Sequence, residues 1–153
     1  MDTLDLRIEP ANSPSATLLI AALDAELRSR YPGMAVNGID VAEFEAQGGV
    51  FVVGYVDGEP GVCGALRPHE AAVEIKRMFV ASAFRGLGLG RRMLEFLEAE
   101  AQRRGYTRAV LETGNNQPEA ISLYRSAGWR AIPPFGLYVG NPISTCFEKR
   151  FVG

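Results

Sequence analysis

Hydrophobic positions along the chain change period several times, and each change marks an element. Leu4–Glu9 alternates apolar and polar residues, which predicts a strand with one buried face. Ser13 followed by Pro14 supplies an N-cap and a proline at the first helical position. Ala16, Leu19, Ile20, Leu23 and Leu27 then recur at helical spacing, so a helix is expected over Pro14–Arg30, stopped by Pro32-Gly33. Asp40-Val41-Ala42-Glu43 reads as an acidic form of the capping box and opens a short second helix that Gly48-Gly49 closes.

The middle of the chain switches to strands. Val50–Val56, Val62–Arg67 and Ala72–Val80 are strand-like runs. Asp57-Gly58 marks a tight turn after the first and Pro68-His69-Glu70 a turn after the second, so the three should form an antiparallel meander. Strict alternation would put Glu74, Lys76, Met78 and Val80 on one face, unless a bulge intervenes. Beyond Ser82, glycines give way to a helix whose apolar face is Gly90, Met93, Leu94, Leu97 and Ala101 and whose stop is Gly105. Arg108–Thr113 returns to strand character. The helix between it and Ala72–Val80 implies a parallel pair joined by a right-handed crossover. A helix over Gln117–Ala127 capped by Gly128, a strand starting at Trp129–Ile132 and broken by Pro133-Pro134, and a last strand Ile143–Phe151 complete the pattern. The expected architecture is α/β, a mixed sheet with helices on its faces.

Composition narrows the class. A chain of 153 residues with 47% hydrophobic and 22% charged residues suits one globular domain over residues 1–153, large enough to fold without disulfide or metal. A net charge of −2 argues against a general nucleic-acid binder. Cys63, Cys146 and the lone His69 make no zinc pattern, so no metal is expected. Cys63 reads as a buried structural thiol rather than an acyl-accepting nucleophile served by His69, which itself reads as a solvated turn residue; Trp129 reads as core. The first ten residues carry acids and no apolar h-region, and no apolar run nears the ~18 residues of a membrane span. A cytoplasmic protein with free thiols and no membrane partner is the expectation.

The most informative segment is Arg85-Gly86-Leu87-Gly88-Leu89-Gly90-Arg91-Arg92, between the end of a strand and the start of a helix. Free backbone N–H groups and the helix dipole there favour an anion, and glycines let it approach the main chain. Arginines at that end carry the wrong sign for the dipole, a penalty of ~0.3–1 kcal/mol each that a bound phosphate would reverse. The spelling is neither a Walker A loop, which needs Lys-Ser or Lys-Thr, nor the G-x-G-x-x-G dinucleotide fingerprint.

Arg85-x-x-Gly88-x-Gly90 after Lys76-Arg77-Met78-Phe79-Val80, followed by Ala120-x-x-x-Tyr124-x-x-x-Gly128-Trp129, resembles the GNAT superfamily of acetyl-CoA-dependent N-acetyltransferases. The likeness runs from about Glu74 to Ala131, and Leu23-Asp24-Ala25-Glu26-Leu27 with Tyr31-Pro32 resembles small bacterial members. The resemblance implies a sheet of about six or seven strands, mostly antiparallel with one parallel pair, flanked by about four helices. It implies that Arg85, Gly86, Leu87, Gly88, Leu89 and Gly90, with Arg91 nearby, hold the pyrophosphate of acetyl-CoA. Main-chain groups of Met78, Phe79 and Val80 would bond its pantetheine arm.

Tyr124 matches the tyrosine that protonates the departing thiolate in many members; its other reading is an aromatic on the buried face of its helix. The family's cofactor-contacting asparagine falls at Gln117 here, so Gln117 or its neighbour Asn116 takes that place. Glu74 is the candidate base for the attacking amine, through a water, or else a cross-strand partner of Lys76 or Arg77. A backbone N–H near Val80 would serve the oxyanion. The acceptor, a small amine or else a protein N-terminus or lysine, would meet Glu26, Arg30, Tyr31 and Tyr138. Phe135 and Tyr138 could wall that pocket or a dimer contact, since homodimers are common in the family. A non-catalytic acyl-CoA-binding domain is the further alternative.

Overall fold

The chain runs β1 (Leu4–Glu9), α1 (Pro14–Arg30), α2 (Val41–Ala46), β2 (Val50–Val56), β3 (Glu59–His69), β4 (Ala72–Val80), α3 (Leu89–Arg103), β5 (Arg108–Gly114), α4 (Pro118–Ser126), β6 (Arg130–Ile132) and β7 (Ser144–Arg150). These bounds come from a computed structural model that describes residues 2–33 and 40–151. The strands form one sheet in the order β1-β2-β3-β4-β5-β7-β6. Every neighbouring pair is antiparallel except β4 and β5, which are parallel because α3 carries the chain between them.

Local chemistry explains the element ends. Ser13 Oγ accepts the Ala16 N–H at 3.1 Å and caps α1. Asp40 accepts the Glu43 N–H at 3.1 Å and caps α2, but Glu43 does not return the bond and instead accepts from Gln47 at 3.0 Å. At Asp57-Gly58 both residues have left-handed φ values, 48° and 86°, as a two-residue hairpin turn requires. The second turn lies further along than expected. Pro68 and His69 belong to β3, and Glu70-Ala71 makes the turn. Proline is tolerated there because β2 starts opposite Leu66, so Pro68 has no partner strand on that side.

The sheet separates two apolar layers. On one face α1 and α2 bring Ala16, Leu19, Leu23 and Phe44 against Phe51, Val53, Ala65 and Phe79. On the other, Leu89, Met93, Leu94 and Leu97 of α3 and Tyr124 of α4 pack on Val52, Ile75, Leu111 and Phe147.

A bulge in β4 decides which side chains reach which layer. Cys63 pairs with Phe79 and Ala65 with Lys76, so Gly64 alone faces Arg77 and Met78. Arg77 adopts φ 58° to absorb the extra residue. Single-face alternation is therefore corrected: Glu74 and Lys76 lie on the α1 side, whereas Met78 and Val80 pack with the α3 layer. Gly64 makes room for this, because a Cβ there would stand 2.6 Å from Leu97 Cδ1 and 3.0 Å from Met78 Sδ.

The parallel pair is short. β4 and β5 pair from Val73↔Ala109 to Ile75↔Leu111 and then part. Beyond that point β4 stays with β3 as far as Val80, and β5 with β7 as far as Gly114.

The packing around Gly64 predicts that Gly64→Ala destabilises the protein by about 1–3 kcal/mol through overpacking against Leu97 and Met78. Thermal unfolding should show a melting temperature several degrees lower. An unchanged value would contradict this tight contact between the bulge and α3.

Candidate active site

Parting of β4 from β5 opens a cavity of about 200 Å³. Leu23 and Leu27 of α1, with Tyr31 just past its end, wall one side, and Tyr124 and Ala120 of α4 another. Glu74 to Met78 of β4 and Glu112 to Gly114 of β5 supply the split edges. Tyr138, on a 3-10 turn Gly136–Tyr138, closes the space together with Asn141 and Ile143.

Several of its polar side chains make hydrogen bonds and ion pairs on the α1 side of the sheet. Glu74 is only 1% exposed. Its carboxylate accepts from Arg67 Nη2 at 2.9 Å and from the Tyr138 hydroxyl at 2.7 Å, with Lys76 Nζ at 3.6 Å. Lys76 in turn donates to the Tyr138 oxygen at 2.9 Å. Burial lowers the Lys76 pKa, an effect that Glu74 opposes. Across the gap Glu112 accepts from Ser144 Oγ at 2.6 Å, and burial holds its carboxyl above the ordinary value. Arg77 pairs with Asp24 at 2.7 Å and so ties the bulge to α1.

Tyr124 is 5% exposed and packs beside Trp129 and Phe147, each ring centroid 6.1 Å away. Burial raises its pKa, so the phenol keeps its proton at neutral pH. It lines the cavity from the α3–α4 side and belongs to the core there.

A 3-10 turn, Ser82–Phe84, joins β4 to the glycine loop, which leads into α3. Gly86 and Gly88 have φ of 83° and 74°, with no atom within 4 Å of a hypothetical Cβ. Their glycines thus serve the left-handed backbone and open space above the loop rather than packing. Gly90 differs: a Cβ there would lie 3.3 Å from Leu123 of α4 and 3.7 Å from Val80. No side chain caps α3 and no acid occupies its first turn. These features fit an acyl-CoA pyrophosphate, with Arg91 and Arg92 beside it at the start of α3. Arg85 folds back over β4, donating to the Val80 carbonyl at 3.0 Å and pairing with Glu26 at 2.6 Å.

The other expected residues divide into two groups. Tyr31, Gln117, Met78 and Tyr138 line the cavity with Glu74 and Tyr124. Glu26, Arg30 and Asn116 are committed outside it: Glu26 to Arg85, Arg30 to Glu119 at 2.5 Å, and Asn116 to the end of α1. Asn116 donates its N–H to Tyr31 Oη at 3.0 Å, while Gln117 Oε1 accepts the Gly114 N–H at 3.0 Å, so Gln117 is the one facing the cavity. Phe135 stacks on His69 (5.1 Å) and Tyr138 (5.3 Å), so His69 is half-buried rather than solvated. Cys63 donates to the Arg77 carbonyl at 3.2 Å, and burial pushes its thiol up to about 12, which leaves an inert structural cysteine. Sequence reasoning missed Lys76, Glu112, Arg67 and Asn141 as site residues. Glu112 carried one clue, an acid inside an otherwise apolar strand.

Among the described residues no cluster of His, Cys, Asp and Glu could hold a metal ion, and no helix is long and apolar enough to cross a membrane.

Comparison with known proteins agrees with this geometry. The acetyltransferase (GNAT) family model matches residues 16–129. An IAA acetyltransferase of Azospirillum brasilense is 37% identical over 133 residues, 86% of this chain and 87% of that protein. A Klebsiella pneumoniae protein described as an acyl-CoA N-acyltransferase superposes with a TM-score of 0.87 at 29% identity, covering 98% of this chain and 99% of that one. A GNAT family acetyltransferase of Elizabethkingia anophelis, solved with acetyl-CoA bound, superposes with a TM-score of 0.72 over 99% of this chain and 100% of that one; at 19% identity that likeness is one of fold. With the glycine loop, the parted parallel strands and these matches in agreement, the chain belongs to the GNAT family of acetyl-CoA-dependent N-acetyltransferases.

Proposed function

We propose that the chain, as one domain acting in the cytoplasm, moves the acetyl group of acetyl-CoA directly onto the primary amine of a small molecule. The observation that carries this reading is the cavity between the parted strands, where the Tyr124 phenol and the Glu74 and Glu112 carboxylates line about 200 Å³. That volume suits a small acceptor better than a protein segment. Two buried free cysteines fit a reducing compartment. Backbone amides from Arg85 to Gly90, with Arg91, hold the pyrophosphate, and main-chain groups of Met78, Phe79 and Val80 hold the pantetheine arm.

The reaction needs two proton movements. The amine nitrogen attacks the thioester carbonyl, the new C–N bond forms, and the C–S bond breaks. A backbone N–H near Val80 stabilises the oxyanion. Tyr124 gives its proton to the departing sulfur, as a phenol held protonated by burial can. The amine must shed a proton, since an alkylammonium is no nucleophile. Glu74, held in place by Arg67 and Tyr138, which donate to its two oxygens, takes it through a water. A second reading gives the base role to Glu112, because burial raises its carboxyl toward the working pH.

Tyr124→Phe should lower kcat by about 10²-fold or more while acetyl-CoA affinity barely changes. Steady-state kinetics with calorimetry checks this, and a wild-type kcat would remove Tyr124 from the mechanism. The pH profile separates the two bases. Glu112 must be ionised to accept a proton, so if it is the base, kcat/KM falls as pH drops through a value above the ordinary ~4.3 of a glutamate. Glu112→Gln would then abolish that acid limb and Glu74→Gln would keep it; the reverse pattern assigns Glu74.

A further inference from the structure

Resting on the small-amine reading above, we infer that the acceptor is an amino acid, its carboxylate received by Lys76 and its amine placed toward Glu112. Surplus charges of opposite sign stand on the two edges of a single cavity, where Lys76 and Glu112 attract one another. On β4, one carboxylate serves two cations: Glu74 accepts from Arg67 at 2.9 Å and stands 3.6 Å from Lys76. Its second oxygen is taken by the Tyr138 hydroxyl at 2.7 Å. The Arg67–Glu74–Lys76 group therefore carries a surplus positive charge, and Lys76 is the cation of the group that lines the cavity, alongside Glu74. Its side chain is 16% exposed and is steadied by Tyr138 through a 2.9 Å hydrogen bond.

The opposite edge carries the complementary surplus. Glu112 on β5 is held by the neutral Ser144 hydroxyl, while Lys76 takes its ion pair with Glu74. Arg77 pairs with Asp24 at 2.7 Å. Burial disfavours the charged form of both groups, lowering Lys76 and raising Glu112. A simple alkylamine would answer Glu112 and leave Lys76 uncompensated. A carboxylate without an amine would do the reverse and could not be acetylated on nitrogen. An amino acid answers both, and Leu23, Leu27 and Ile143 offer apolar wall to the rest of the molecule. The transfer itself is unchanged: the amine forms the C–N bond, the C–S bond breaks, the amine proton passes to a cavity carboxylate and Tyr124 protonates the sulfur.

The test follows thiol release from acetyl-CoA, with mass spectrometry of the product, using the full chain. Acceptors are amino acids with α, β or γ amines, their carboxamides, and a plain alkylamine. Wild type should use at least one amino acid with kcat/KM about tenfold or more above its carboxamide. Lys76→Met should bring that ratio to about one, with carboxamide turnover in the same variant reporting a folded site, and Lys76→Arg should restore the preference. Acetylated products with a wild-type ratio near one overturn the inference and leave the transfer reaction standing. A preference that survives in Lys76→Met overturns the assignment to Lys76. No acetylated amine from protein that binds acetyl-CoA overturns both the inference and the small-amine reading beneath it.

Discussion

The structure turns on a parallel strand pair that stops after three residue pairs. β4 and β5 share hydrogen bonds only as far as Ile75 and Leu111, and each then follows a different neighbour. Backbone groups left without a strand partner inside a protein are costly, so such a gap persists only where something else occupies it. The bulge at Arg77 and its tie to Asp24 hold β4 in this course, and α4 fills the α3-side flank with Tyr124. The glycine loop continues from β4, through the short 3-10 turn Ser82–Phe84, into the start of α3. A helix N-terminus with no side-chain cap, a gap and a buried phenol thus meet around one topological feature.

The network on the other flank shows what the site costs. Glu74 is almost fully buried, and leaving such a carboxylate unpaired would cost several kcal/mol, about 3–5 where one partner of a buried pair is removed. Arg67 and Tyr138 meet that demand from β3 and from the 3-10 turn before β7. Pinned in this way, Glu74 and Lys76 are fixed features of the cavity wall and not freely rotating surface groups. Rigidity suits a site that must hold an amine in line with a thioester.

Much of this was legible in the sequence, and the reasons are local. Ser13, Asp40 and Asp57-Gly58 act within a few residues of themselves, so their caps and turns could be read directly. The glycine loop and the Ala120 to Trp129 spacing are likewise contiguous. The β4 bulge was not legible, because it depends on Gly64 across the sheet and on Leu97 beneath it. Nor was the Lys76–Tyr138 contact, which joins residues 62 apart through a loop of prolines and glycines. Glu26 and Arg30 have suitable chemistry for an acceptor site, yet helix phase turns them to Arg85 and Glu119 instead. Pro68 misled for a similar reason, since a proline reads as a turn unless the missing partner strand is known.

Every step of the chemistry requires that the glycine loop and the gap between β4 and β5 together receive acetyl-CoA. Calorimetric titration of the wild-type protein and of Gly88→Val tests this, because valine at φ 74° would both strain the loop and block its open face. Wild type should bind saturably in the micromolar range, and the variant should lose about tenfold or more in affinity while it remains folded. Absence of binding by folded wild type, or equal binding by the variant, would contradict that placement of the cofactor.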